Sequence, residues 1–259
     1  MKRYTKSGVV IFCVLLINPS LWAQNPLEVA GELTINPANS AINVHGNSIQ
    51  NVADPELSQD AATKAYVDHV LLTFGISMGP SGIQGLLNAG YSPLSIIDKG
   101  APLSDFIGLI HEGGIIFYMN PSGDGSGLVA ASSNQSGAAS WGCHGSPISG
   151  ADGTDIGTGN QNTLDMEIGC TDTGTAADIC ANLSLNGFDD WFLPSKDELN
   201  EMYLKIGPGA TNVGNFSPTY YWSSSEVDNN LAWDQDFYFA SQENNNKYSP
   251  HAVRAIRAF

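Results

Sequence analysis

Apolar and polar positions alternate in several ways along this chain, and each predicts different elements. Val9 to Ile17 is an unbroken apolar run behind Lys2, Arg3 and Lys6, with Leu21-Trp22-Ala23 as a small-residue cleavage signature. That arrangement predicts a secretory signal peptide over 1–23, because the run is shorter than the ~20 residues needed to cross a bilayer. Leu33-Thr34-Ile35 and Ala41-Ile42-Asn43-Val44 alternate with period two and break at Asn36-Pro37 and His45-Gly46-Asn47, which predicts short strands and turns. From Asp60, a candidate N-cap, the period lengthens: Thr63, Val67, Val70 and Phe74 stand at 4-3-4 spacing, a narrow heptad seam. So short a helix is marginal alone in water and calls for partners.

Over 76–108 two short apolar segments each stop at a glycine, Gly90 and Gly100, and restart at a proline, Pro93 and Pro102. A short helical connector is expected. Gly114 to Met119 and Gly127 to Ala131 are apolar runs joined by a polar stretch, the pattern of a hairpin with a long loop. Residues 150–163 are nearly all Gly, Ala, Asp, Thr and Asn, and are expected to be loop. Ala176, Cys180 and Leu183 follow helical spacing. Ser195 followed by Glu198 is a capping-box signature opening a helix whose buried face is Leu199, Met202, Tyr203 and Ile206. Tyr220 to Glu226, Ala232 to Phe237 and Ala252 to Phe259 read as strands, the last one continuous, with Arg254 and Arg257 toward its wetter face.

Composition narrows the partners. Charged residues make up 14% of the chain and the formal net charge is −16; loss of the leader leaves 7 basic against 26 acidic residues, a net of −19. No basic patch is available to displace counterions, so nucleic acid is excluded as a partner. No stretch predicts a transmembrane segment. In the mature chain Cys143, Cys170 and Cys180 remain. Cys180 falls on the apolar face of its helix, which leaves Cys143–Cys170 as the expected disulfide of an exported protein.

Two resemblances add to this reading. Asn51-Val52-Ala53-Asp54-Pro55 with Asp60-Ala61-Ala62-Thr63-Lys64-Ala65-Tyr66-Val67-Asp68 resembles an element of phage tail-fibre proteins. It implies homotrimerisation through a β/coiled-coil stalk, taken here as 24–75. Farther on, Gly113 to Tyr118, Trp141-Gly142-Cys143, Ile156 to Thr163, Asp190 to Ser195, Tyr221 to Glu226 and Val253 to Arg257 are similar to the Lcl C-terminal domain family, over 109–259. This resemblance implies an α+β fold, a compact C-type-lectin-like head with long loops, and an extracellular adhesin-type domain binding a glycan or protein. For the adhesin that gives the family its name, a sulfated glycosaminoglycan is implied. From His111 onward this chain has 5 basic against 18 acidic residues, so that ligand is not carried over. The expected location is extracellular or at the cell surface, with the periplasm as an alternative.

Candidate chemistry is sparse. Ser195 lacks a nucleophile elbow and is better placed as a cap, and adjacency of Cys143 and His144 does not aim a base at a thiolate. No enzyme is expected. Calcium stays open: Asp152, Thr154 and Asp155, or Asp228, Asn229 and Asn230 with Glu226, Asp234 and Asp236, offer hard oxygen ligands, or are solvated turns. Glu226 has a structural alternative as partner of Arg254 or Arg257. Sugar recognition wants rings beside amides, and Asn229, Asn230, Trp233, Tyr238, Asn244, Asn246 and Tyr248 supply both in one stretch. They are the expected ligand-binding residues, against the alternative that Trp233 packs inward and the Asn run is a turn.

Overall fold

The computed structural model describes residues 79–259. The expected signal peptide and trimerisation stalk lie outside the described residues. Helices α1 (Gly79–Asn88) and α2 (Pro93–Ile97) and a 3-10 turn (Leu103–Phe106) come first, where the Gly and Pro punctuation predicts them. Ser92 caps α2, its hydroxyl accepting from the Ser95 N–H at 3.2 Å. Ile83, Leu87, Ile96 and Phe106 then bury against Ile116, Met119 and Val129 of the first sheet.

That sheet runs β1 (Ile110–His111), β2 (Gly114–Met119), β3 (Gly127–Ala130), β9 (Ile256–Ala258), all antiparallel. Its other face presents Ile115, Phe117, Leu128 and Ala130 to a second cluster with Leu199, Met202, Phe237 and Ile256. Both faces are covered, and for that reason β2 and β3 read as continuous apolar runs instead of alternating ones.

The second sheet has the order β4 (Ser136–Ala139), β8 (His251–Val253), β5 (Tyr220–Glu226), β6 (Leu231–Asp236), β7 (Gln242–Asn246). Only β5 and β8 run parallel. With it pack α3 (Gly159–Gly169), α4 (Ala176–Ala181) and α5 (Lys196–Ile206), which completes an α+β fold. Trp141, Trp191 and Trp222 join Met166, Ala176, Cys180 and Val253 in a third core cluster. The two most buried indoles are also satisfied, Trp141 Nε1 donating to the Ser223 carbonyl and Trp222 Nε1 to the Ala139 carbonyl, each at 2.9 Å.

Cys143 and Cys170 form the expected disulfide, and Cys180 is a buried free thiol, pushed up by burial and so unreactive. Ser195 and Glu198 form both halves of the capping box. Two expectations are corrected. Residues 159–163, read as loop, are the first turn of α3, whose polar side chains face inward: Asn162 Nδ2 donates to the Gly153 carbonyl at 2.6 Å, and the Leu193 N–H donates to Thr163 Oγ1 at 3.0 Å. The single C-terminal strand is two, β8 in the second sheet and β9 in the first, with Arg254 and Ala255 at the crossing. Both arginines are accordingly buried, not at a wet face. Arg254 donates to the Ala131 and Gly214 carbonyls at 2.8 Å and to Asn134 Oδ1, and its desolvation lowers its pKa to about 10. Arg257 holds Asp190 through two bonds, of 2.6 and 2.9 Å, and reaches Glu112.

Candidate binding surface

β6 and β7 make a hairpin in which Leu231 pairs with Asn246, Trp233 with Asn244 and Gln235 with Gln242. Paired residues share a face and alternate residues change face, so Leu231, Trp233, Gln235, Gln242, Asn244 and Asn246 form one side. The N-terminus of α5 stands over it. Lys196 Nζ lies 4.0 Å from the centre of the Trp233 ring, and Gln242 Nε2 donates to the Lys196 carbonyl at 2.9 Å. Asn246 Oδ1 and Gln235 Oε1 are buried acceptors without a partner among the described residues.

The opposite side is acidic, with Asp234, Asp236 and Glu243 near Tyr220. Those three carboxylates, Asp236 foremost, raise the Tyr220 phenol above its ordinary value. Asp234 accepts from Asn245 Nδ2 at 2.7 Å and lies 2.9 Å from His251 Nε2. Asp236 Oδ1 accepts the N–H groups of Tyr238 and Phe239, which fixes the turn after β6. At that turn Tyr238 and Phe239 are 67% and 74% exposed and meet edge to face at 4.6 Å.

The expected ligand-binding residues therefore fall into three groups. Trp233, Asn244 and Asn246 share the face under Lys196. Tyr238 stands at one end of the hairpin, roughly 20 Å along a six-residue strand from the other end. There Asn229 and Asn230 form a turn braced by Asp228 Oδ1, which accepts from the Asn230 and Leu231 N–H groups at 2.7 and 2.9 Å. Tyr248 joins this second end, its ring 5.0 Å from that of His144, while the Gly145 N–H donates to the Asn229 carbonyl at 2.7 Å.

One organising residue escaped the sequence reading. Lys247 is fully buried, its ammonium donating to Glu226 Oε1 and, at 3.0 Å, to the Ser146 carbonyl, above the Trp141 ring. The Ile148 N–H donates to the same Glu226 oxygen at 2.9 Å. Glu226 is thus the partner of Lys247 and of neither Arg254 nor Arg257. The one signal of Lys247 in the sequence is a lone cation among the polar residues Asn246, Tyr248 and Ser249. Lys196, the first residue of α5, carries no signal in the sequence of its reach over Trp233.

The carboxylates of Asp228 and Asp236 are used internally, each bracing its own turn. Among the described residues, the group of histidine, cysteine and carboxylate side chains close enough to share an ion is Cys143, Cys170 and Asp172, and its sulfurs are committed to the disulfide. Ser195 Oγ donates to the Asp155 carbonyl at 3.0 Å and accepts from the Glu198 N–H, the work of a cap and loop brace. No curated protein matches the chain. The stretch that supplies β4 to β8, the three later helices and this hairpin does match a family: residues 134–257 are similar to the Lcl C-terminal domain, a match that begins after the Gly113 to Tyr118 motif.

Proposed function

We propose that the chain is a secreted or surface-exposed adhesin-type binding protein that recognises a glycan or protein ligand through a lectin-like C-terminal head. Its stalk, on this reading, is a tail-fibre-like trimerisation element. The observation that carries the proposal is the Trp233 face: a half-buried indole with Asn244 and Asn246 on the same side of the hairpin. Rings that stack and amides that donate and accept are what a sugar or a polar peptide surface requires. The acidic surface favours a neutral or cationic ligand over a polyanion.

The test is a glycan array probed with the full chain and with Trp233→Ala, with calcium and with chelator. Saturable binding to a neutral glycan that Trp233→Ala abolishes, with the melting temperature unchanged, supports the reading. Binding untouched by Trp233→Ala removes this face from the site. Light scattering that finds only monomer at micromolar concentration refutes the trimeric stalk.

A further inference from the structure

β7 is the last strand of its sheet, and its hydrogen-bonding register says which groups it leaves open. The Lys247 N–H donates to the Asn230 carbonyl and the Asp236 N–H to the Ser241 carbonyl, at 2.9 Å each. These are hydrogen-bonded positions of the antiparallel ladder, and such positions alternate. Glu243 and Asn245 therefore turn their backbone toward β6, whereas Gln242, Asn244 and Asn246 turn theirs outward. Of these outward groups the Asn246 carbonyl is taken by the Ser249 N–H at 2.7 Å. The N–H and C=O of Gln242 and Asn244 and the N–H of Asn246 face away from the sheet, and among the described residues no backbone group pairs with them.

We propose that the outer edge of β7 docks an extended, lysine- or arginine-bearing peptide segment, which adds to the sheet as a sixth strand. An added strand lies about 4.8 Å away and keeps the face alternation of its neighbour. Every second residue of it lies on the side of Glu243, whose carboxylate is exposed there, while Asp234 and Asp236 of the neighbouring strand are buried and already bonded. The residues between stand beside Asn244 and Asn246, on the Trp233 side. Cationic and small polar residues in alternation complement both rows. A second copy of this chain fits less well, since it brings its own Glu243 and the net negative charge of the chain against this edge. A single exposed carboxylate, Glu243, guards the edge against nonspecific pairing, and a cationic strand turns that guard into an attraction.

The inference rests on the proposed binding role of the β6–β7 hairpin and selects a peptide as its ligand, so the experiment reads the two separately. A ten-residue peptide of alternating lysine and threonine is titrated into the full chain, with an alternating glutamate and threonine peptide as control, and amide exchange is followed. Expected is slowed exchange at Gln242, Asn244 and Asn246. Asn244→Pro, which removes an outward N–H, weakens the lysine peptide by about tenfold or more. Glu243→Lys, on an exposed side chain, shifts preference toward the glutamate peptide. Unchanged exchange at the three amides under saturating lysine peptide overturns the proposal, as does equal binding of the two peptides. Glycan binding that Trp233→Ala abolishes, with no peptide bound to the unmodified chain, overturns the docking edge and leaves the proposed function standing.

Discussion

Lys247 and Glu226 form a buried ion pair at the meeting point of three segments: the disulfide loop, the end of β5 and the end of β7. Removing the cation alone leaves the Glu226 side chain, 8% exposed, without its counter-charge. Lys247→Met is expected to lower unfolding free energy by about 3–5 kcal/mol in denaturant titration, and Lys247→Met with Glu226→Leu to recover much of that loss. Glu198 poses the opposite case. Its desolvation outweighs the N–H groups of Ser195 and Gly157 and raises its pKa. A carboxyl whose pKa is higher folded than unfolded favours folding below its ordinary value, and that contribution fades as pH rises through the raised one. Glu198→Gln is therefore expected to flatten the stability–pH curve on that rise, as thermal melts at a series of pH values will report. Neither residue's burial was legible in the sequence. Glu198 was placed as a cap by its spacing from Ser195, but spacing says nothing of the loop that closes over it.

Elements were legible where local signals and tertiary packing agree. The capping box of α5, the Gly and Pro limits of α1 and α2, and the β2–β3 hairpin all appear where the residue pattern puts them. Helix α3 was hidden because its stabilisation is not amphipathic: Thr158 gives its first turn no side-chain cap, and its inward face is Asn162 and Thr163 bonded to neighbouring chain. Gly159 opens this helix so close to the Glu198 carboxylate and the Leu193 carbonyl that a Cβ would collide with both. Gly159→Ala is expected to cost roughly 1–3 kcal/mol by calorimetry, against the usual gain from alanine in a helix. At the other end of α3 the disulfide joins residues 27 apart, and replacing both Cys143 and Cys170 by Ala should cost about 2–4 kcal/mol. The β8–β9 division escaped notice because alternation continues through Arg254, whose side chain looks polar in sequence yet serves as a buried donor to backbone carbonyls.

For the whole molecule, charge sets the outer behaviour. Lys247, Arg254 and Arg257 are buried, so the described surface is left with Lys99, Lys196 and Lys205 as its lysine and arginine cations. Heparin is accordingly expected to show no retention of the full chain at physiological salt, as a heparin column will show. The seven expected binding residues were legible as a composition but not as a site. Strand register put Trp233, Asn244 and Asn246 together and sent Tyr238 and Tyr248 to opposite ends, and register is fixed by turns and partners that the composition does not contain.

Because β8 and β9 belong to different sheets, residues 251–258 supply a strand to each. Arg254 reaches back 120 residues to Asn134, and β9 pairs with β3 over a comparable distance. Ribosomal emergence of β2 to β7 therefore leaves β3 without β9, and β4 without the strand that joins it to β5, until the final stretch arrives. Such a chain folds late and slowly for its size, because loop closure precedes the contacts that reward it.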